Sequence, residues 1–434
     1  MSGVLCIDFG TSSIRAVRRM PSGKLKPLDI GRVVRSRLDD ASIRSEIHID
    51  EQGRYVRFGE RAITARLESP TSLLYEQSPK LWLREPQSLG RQAVPGLALT
   101  RENLLAGLLA NALHACIKVM DVGDATLRQI EVRIAHPVWP SDIADAANAA
   151  IGRICAQTQR MVFDRDWATV TVSQLEAHTR NPGTPVQSSV DVVEPVAAAV
   201  ELLPSAENVR RVCAVVDVGA GTTDIGLFQA VAPDSASAVR GKLYPLGEPI
   251  SVFKAGNVVD EIVLDVLQSR AKRSDAAAVQ DVKARIRQIK ETLFQDGYIQ
   301  ELGVNLRLED VQSHPEAKVM ARDIRTAFEA AVQRSSKTIV GFMDARTHYI
   351  RELELVMAGG GASIDFIRKA VEKPFLLDGK HLPVVITEAE PDGELNLFGA
   401  ARERMAVALG GARGEYDSLI HQMTPANRIS RGRL

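Results

Sequence analysis

The sequence predicts an α/β fold, and three observations carry that prediction. Strand-like and helix-like segments alternate along the chain. An apolar run ending in Asp, one residue and Gly, then a hydroxyl-rich turn, occurs twice, as "CIDFGTSS" from position 6 and "VVDVGAGTT" from position 215. At 434 residues the chain exceeds the size at which one hydrophobic core stops growing, so at least two packed units are expected.

The elements follow in order. "GVLCIDFG" (3–10) and "SIRAVRRM" (13–20) flank a polar turn and read as a β-hairpin, and "EVRIAHPVW" (131–139) reads as a strand stopped by proline. "RRVCAVVDVG" (210–219) and "TDIGLFQAV" (223–231) form the second hairpin. Helical period places Val259, Ile262, Val263, Val266 and Leu267 on one face of "NVVDEIVLDVLQSRA", and Val282, Ile286, Ile289 and Leu293 on one face of "DVKARIRQIKETLF". "ELELVMAGGG" (352–361) is another strand, and Ser363 and Asp365 suit the start of a helix over "SIDFIRKAVEKPF". Pro, Gly and Ser clusters at 181–189 and 233–241 mark surface loops. The two hairpins imply a duplicated half, each with its own sheet.

Composition excludes several classes. Lys plus Arg and Asp plus Glu both number 54, so no global field favours nucleic acid or an anionic membrane. The locally basic end "ANRISRGRL" reads as a solvated terminus. No apolar run reaches the length of a membrane span, and the acid in "MSGVLCIDFG" disfavours a signal peptide, so a cytoplasmic protein is expected. The four cysteines are far apart without CxxC spacing, and Cys6 and Cys213 fall in apolar strands, which argues against zinc or disulfides.

Each turn can be a tight bend whose Asp and Thr satisfy local backbone groups. Two such turns in one chain also make a phosphate site, because glycine lets several backbone N–H groups approach anionic oxygens. Asp8 and Asp217 then sit beside the phosphates, and carboxylates there call for a cation such as magnesium that keeps several waters. Other devices are missing: there is no GxxxxGK[ST], "GAGTTD" leads into a strand rather than a helix, and no HExxH occurs. A third cluster, Gly359, Gly360 and Gly361, lets a flat group lie against the backbone. Lys283, Arg287 and Lys290 form a basic stripe that is either a solvated face or a contact to ribose or base.

These motifs, in this order, resemble the nucleotide-binding domain of the heat shock protein 70 family (DnaK-type chaperones), within the actin-like ATPase superfamily. "CIDFGTSSIRAV" resembles its first phosphate loop, "VVEPVAAAVELL" its first connecting segment, "AVVDVGAGTTDIGLF" its second phosphate loop, "LVMAGGGASIDFIRKAV" its adenosine loop and "LNLFGAARERM" its second connecting helix. "VRIAHPVWPSDIADAANAA" also resembles a family strand and the helix that follows it. The resemblance spans about residues 4–405. It implies two ribonuclease H-like lobes: lobe I over 1–208 with 388–434 returning to it, and lobe II over 209–387. ATP with magnesium would lie between them.

The resemblance also implies roles. Asp8 and Asp217 hold magnesium through its waters. Gly10, Thr11, Ser12 and Ser13 hold phosphates from one side; Gly219, Ala220, Gly221, Thr222 and Thr223 hold them from the other. Glu194, Asp224 and Thr222 join Asp8 and Asp217 in orienting water and metal, while Gly256, Arg287, Lys290 and Gly359 to Gly361 contact the nucleoside. Two departures stand out. "FGERAITAR" puts Ile63 where the chaperones carry a catalytic lysine, with Lys80 further on, which implies slow or absent turnover. The chain also stops some thirty residues after the second connecting helix, where the chaperones continue into a peptide-binding domain. The expected function is a weak ATPase switch read by an unidentified protein partner. The alternatives are a filament-forming actin-like protein, a small-molecule kinase of the superfamily, and a nucleotide-binding pseudoenzyme.

Overall fold

The computed structural model describes residues 3–36, 41–69, 71–123, 129–162, 167, 170–180, 188–203, 211–231, 242–271, 276–344, 350–387 and 401–413. Most of the two expected loops, residues 395–400 of the last resembling motif and the basic end lie outside them. Residues 188 and 189, expected in a loop, instead open a strand.

The chain is mixed α/β, and two six-stranded sheets repeat one topology. In the first, β1 (Val4–Phe9) pairs antiparallel with β2 (Ser13–Arg19), which carries β3 (Leu25–Pro27) and β4 (Ser42–Arg44). On its other side β1 lies parallel to β5 (Glu131–His136), and β5 parallel to β6 (Ser188–Val193). The second sheet is built alike. There β7 (Arg211–Val218) pairs antiparallel with β8 (Thr223–Val231), which carries β9 (Lys242–Pro245) and β10 (Ile250–Val252). On its other side β7 lies parallel to β11 (Leu353–Ala358), and β11 parallel to β12 (Val384–Ile386). A smaller four-stranded sheet is formed by residues 47–50, 55–58, 72–76 and 170–171.

Both hairpins form because apolar residues alternate in facing direction along each strand, and both faces of each sheet are covered. Leu5, Ile7 and Phe9 join a core shared with helix α1 (Arg101–Met120), while Cys6 between them faces another core. Val212, Ala214, Val216 and Val218 likewise face a second core, where α3 (Gly256–Arg270) and α4 (Ala276–Asp296) lay the apolar stripes read from the sequence. Cys213 and Val215 turn the other way. Among described helices, α1 alone has the length and hydropathy of a bilayer span, and it is mostly buried inside the protein. All four cysteines are buried and unbridged.

The third core lies between the sheets. It is filled by α2 (Glu194–Leu202) and α6 (Ala401–Ala412), packed on each other. Every residue of α2 is buried, the pattern of a helix enclosed on all sides. The crossing is close at Gly410, where an added Cβ would collide with the Ala197 carbonyl oxygen. Buried Glu201 on α2 is held from α6 by Arg402 at 3.0 Å and from the following Arg413 at 2.6 Å. Helix α6 also packs on β1 and β2, so the end of the described chain returns to the first sheet.

Candidate functional site

A cleft of about 480 Å³ opens where the two equivalent hairpins meet. Asp8 lies near the end of β1, and the chain turns through Gly10 to Ser13. A Cβ on Gly10 would lie 2.5 Å from the Ser13 carbonyl oxygen, so this bend requires glycine. The Ser45 hydroxyl steadies it by donating to the Gly10 carbonyl at 2.7 Å. Asp217 sits at the matching place on β7. The Gly219 N–H donates to the Thr222 carbonyl at 2.9 Å, which closes the second bend. Registers correspond too: Asp8 faces Arg15 across the first hairpin, and Asp217 faces Asp224 across the second.

The third glycine cluster completes the wall. Gly359 has φ +79°, and a Cβ there would collide with Asp217 Oδ1. Gly361 donates its N–H to the Val218 carbonyl at 2.9 Å. These bonds form a turn from 359 to 364, and α5 (Asp365–Val371) begins only after it. Ser363 is therefore not the N-cap expected from sequence; Ile364 is, and Ser363 lines the cleft. The start of α3 buttresses the second bend: Gly256 and Asn257 donate their N–H groups to the carbonyls of Gly219 and Ala220, at 3.0 and 2.7 Å. Lys290 on α4 donates to the Gly256 carbonyl at 3.0 Å and pairs with Asp260 at 2.8 Å.

Most of the residues expected from sequence converge here. Asp8, Gly10, Thr11, Ser12 and Ser13 line the cleft from the first sheet; Asp217, Gly219, Ala220 and Thr222 line it from the second. Glu194, Gly256, Lys290 and Gly359 to Gly361 line it as well. Four expected residues do not. Asp224 stands opposite Asp217 on the paired strand with Oδ1 buried and unpartnered. Thr223 is spent on structure, its hydroxyl donating to the Lys254 carbonyl at 2.6 Å. Gly221 is buried beside the cleft, and a Cβ on it would meet Thr11 Oγ1 at 2.7 Å. Arg287 is a correction to the nucleoside contact expected of it. Its guanidinium donates to the Ser78 hydroxyl at 2.6 Å and lies 3.8 Å from Glu46, so it ties α4 to the N-terminal half of the chain.

Lys80, noted in the sequence only as lying beyond Ile63 and given no role there, is a residue of the cleft. It lies in a six-residue 3-10 turn, Pro79–Arg84, and its ammonium, only 5% exposed, pairs with Glu194 inside the cleft. Ile63, at the position taken for a catalytic lysine, sits on the helix Glu60–Glu68 and does not line the cleft. Nothing local marks Lys80, because its partner is 114 residues away. Arg15, Phe294 and Arg404 also line the cleft unforeseen.

Charge is concentrated at one end. Asp8, Glu194, Asp217 and Asp224 are all buried. Loss of water and then the charge of Glu194 push the Asp8 carboxyl up to about 6 and that of Asp224 to about 7, and hold Asp217 well above the usual carboxylate range. Lys80 acts against this at all three, with Arg15 helping at Asp8. Among the described residues, no three His, Cys, Asp or Glu side chains converge as direct ligands of one ion. No family model matches this chain, and no curated protein matches it.

Proposed function

We propose that this chain binds ATP with magnesium in the cleft between its sheets, as a two-lobed actin-like switch resembling the nucleotide domain of heat shock protein 70, and hydrolyses it slowly. The observation that carries the reading is the convergence of two equivalent hairpins: Asp8 and Asp217 stand at matching places on strands of two sheets of one topology and line one cavity, each beside a glycine bend. Lobes of 1–208 with 388–434, and of 209–387, draw support from the packing of α6 on the first sheet.

The residues present fit the ligand. Gly10 and Gly359 leave bare backbone where a side chain would clash, and a hydrogen bond to a charged phosphate from a backbone N–H or hydroxyl lining the cleft would contribute about 1.5–3 kcal/mol. Buried carboxylates, one with an orphaned oxygen, call for a divalent ion. Magnesium would supply charge neutralisation, held through its waters by Asp8 and Asp217. Glu194 would orient the attacking water by accepting its proton, with Thr222 beside it, while Asp224, outside the cleft lining, would add only its charge. Lys80 brings to the phosphate end the positive charge that Ile63 lacks, and such fixed charge is what phosphoryl transfer relies on. Lys290 and Gly359 to Gly361 would take the nucleoside. Closure of the lobes on the nucleotide would be read by a protein partner in the cytoplasm.

Calorimetric titration with ATP, with and without magnesium, tests the reading alongside a phosphate-release assay. Magnesium-dependent binding and slow release are expected, with release abolished in Asp217→Ala. Absence of magnesium-dependent affinity would sink the proposal, and tight binding with no release would leave a switch without hydrolysis.

A further inference from the structure

Residues 77–84 touch both halves of the chain within eight positions. Gln77 donates to the Ala284 carbonyl at 3.3 Å, and the Ser78 hydroxyl accepts from Asn257 at 3.1 Å and from Arg287 at 2.6 Å. In a 3-10 turn, residues three apart share a face. Lys80 and Leu83 accordingly face the N-terminal half, Lys80 pairing with Glu194 and Leu83 entering the first core. Leu81 and Arg84 face the second phosphate bend. Leu81 Cδ2 lies 2.8 Å from where a Cβ on Gly221 would stand, and Arg84 Nη2 donates to the Gly221 carbonyl at 2.6 Å. The Arg84 guanidinium is stacked 3.9 Å from the centroid of Phe253, the residue after β10.

We propose that segment 77–84 is a strap coupling the two phosphate bends, in which Arg84 is a positioning residue that holds the Gly221 carbonyl so that the bend presents its N–H groups to bound phosphate. The inference rests on the proposed nucleotide site and adds a residue outside it. A guanidinium suits the task, since one planar group can stack on a ring while it donates to a carbonyl, which an ammonium cannot do. Glycine at 221 leaves room for this packing, because a Cβ there would press on Thr11 and Leu81, which would have to shift. Lys80, four residues earlier, places its charge in the cleft from the same turn, so strap position and cleft charge move together.

Trp82 lies inside the strap with Arg101 over its ring at 5.5 Å, and serves as a reporter. The full-length protein is mixed with ATP and magnesium while tryptophan emission and nucleotide dissociation are followed. A change in emission is expected on binding, and its loss in Trp82→Phe assigns it to the strap. Arg84→Ala is expected to speed ATP dissociation about tenfold, the loss of one charge-assisted hydrogen bond, with free guanidinium restoring slow dissociation and Arg84→Lys failing to. Phe253→Leu, a change at a partly exposed position, is expected to speed dissociation less and guards against an Arg84 variant that does not fold. If Arg84→Ala and Phe253→Leu release ATP at the unaltered rate with unchanged emission, the strap proposal is overturned while the nucleotide site stands. Absence of binding by the unaltered protein overturns both.

Discussion

Lys80 and Glu194 show why single residues matter in this cleft. The ammonium is buried among carboxylates, so its removal leaves a negative charge without compensation in a poorly solvated place. Lys80→Met is therefore expected to cost the empty protein about 3 kcal/mol in urea unfolding, the range for breaking a buried pair. Millimolar magnesium should recover part of that loss, and a variant as stable as the parent would show that the pair is not compensating charge. The same carboxyls set a pH dependence. Asp8 and Asp224 titrate near 6 and near 7 when folded, against an ordinary value of 3.8, so the folded protein holds more protons than the unfolded chain in that window. Their contribution to stability is intact below about pH 4 and is lost as pH rises through about 6 to 7. Each tenfold difference in proton affinity between the folded and unfolded carboxyl is worth roughly 1.4 kcal/mol. The urea midpoint of the empty protein should fall between about pH 4 and pH 7, and Asp217→Asn should flatten the fall. An equal slope in the variant would separate the effect from this cluster.

At the scale of elements, the helix pair α2 and α6 decides whether the sheets can approach. Glu194 at one end of α2 reaches the cleft, and Glu201 near the other is locked to Arg402 and Arg413. Between them Ala197 and Gly410 allow contact of backbone on backbone. Gly410→Ala puts a methyl group into the Ala197 carbonyl, and the helices must part. A loss of about 1–3 kcal/mol is expected in thermal unfolding, the range for an overpacked core, together with weaker nucleotide binding, since Glu194 moves with its helix. Stability equal to the parent would mean that the crossing relaxes freely. Helix α4 shows how an element can mislead. Its basic stripe reads as continuous, yet Arg287 is buried against Ser78 and Glu46 while Lys290 lines the cleft. A helical repeat says which residues share a face, and the neighbouring elements decide what that face meets.

For the whole molecule, three bends from distant parts of the chain make one site, so bound nucleotide should affect all three at once. Amide exchange measured with ATP and magnesium should slow together at 10–13, 219–223 and 359–361. Slowing at a single bend would place the ligand elsewhere. The hairpins, both acids and the glycine bends were legible in the amino-acid order, because strand alternation and the steric demands of a tight turn are local. The repeated topology of the two sheets followed from that local pattern only in outline. What tertiary structure alone decided was the charge inside the cleft and the ties across it: Lys80 on Glu194, Arg287 on Ser78, Arg84 on Gly221. Each joins residues more than a hundred positions apart, and such contacts depend on the path of the folded chain, which leaves no periodic trace in the sequence around either partner.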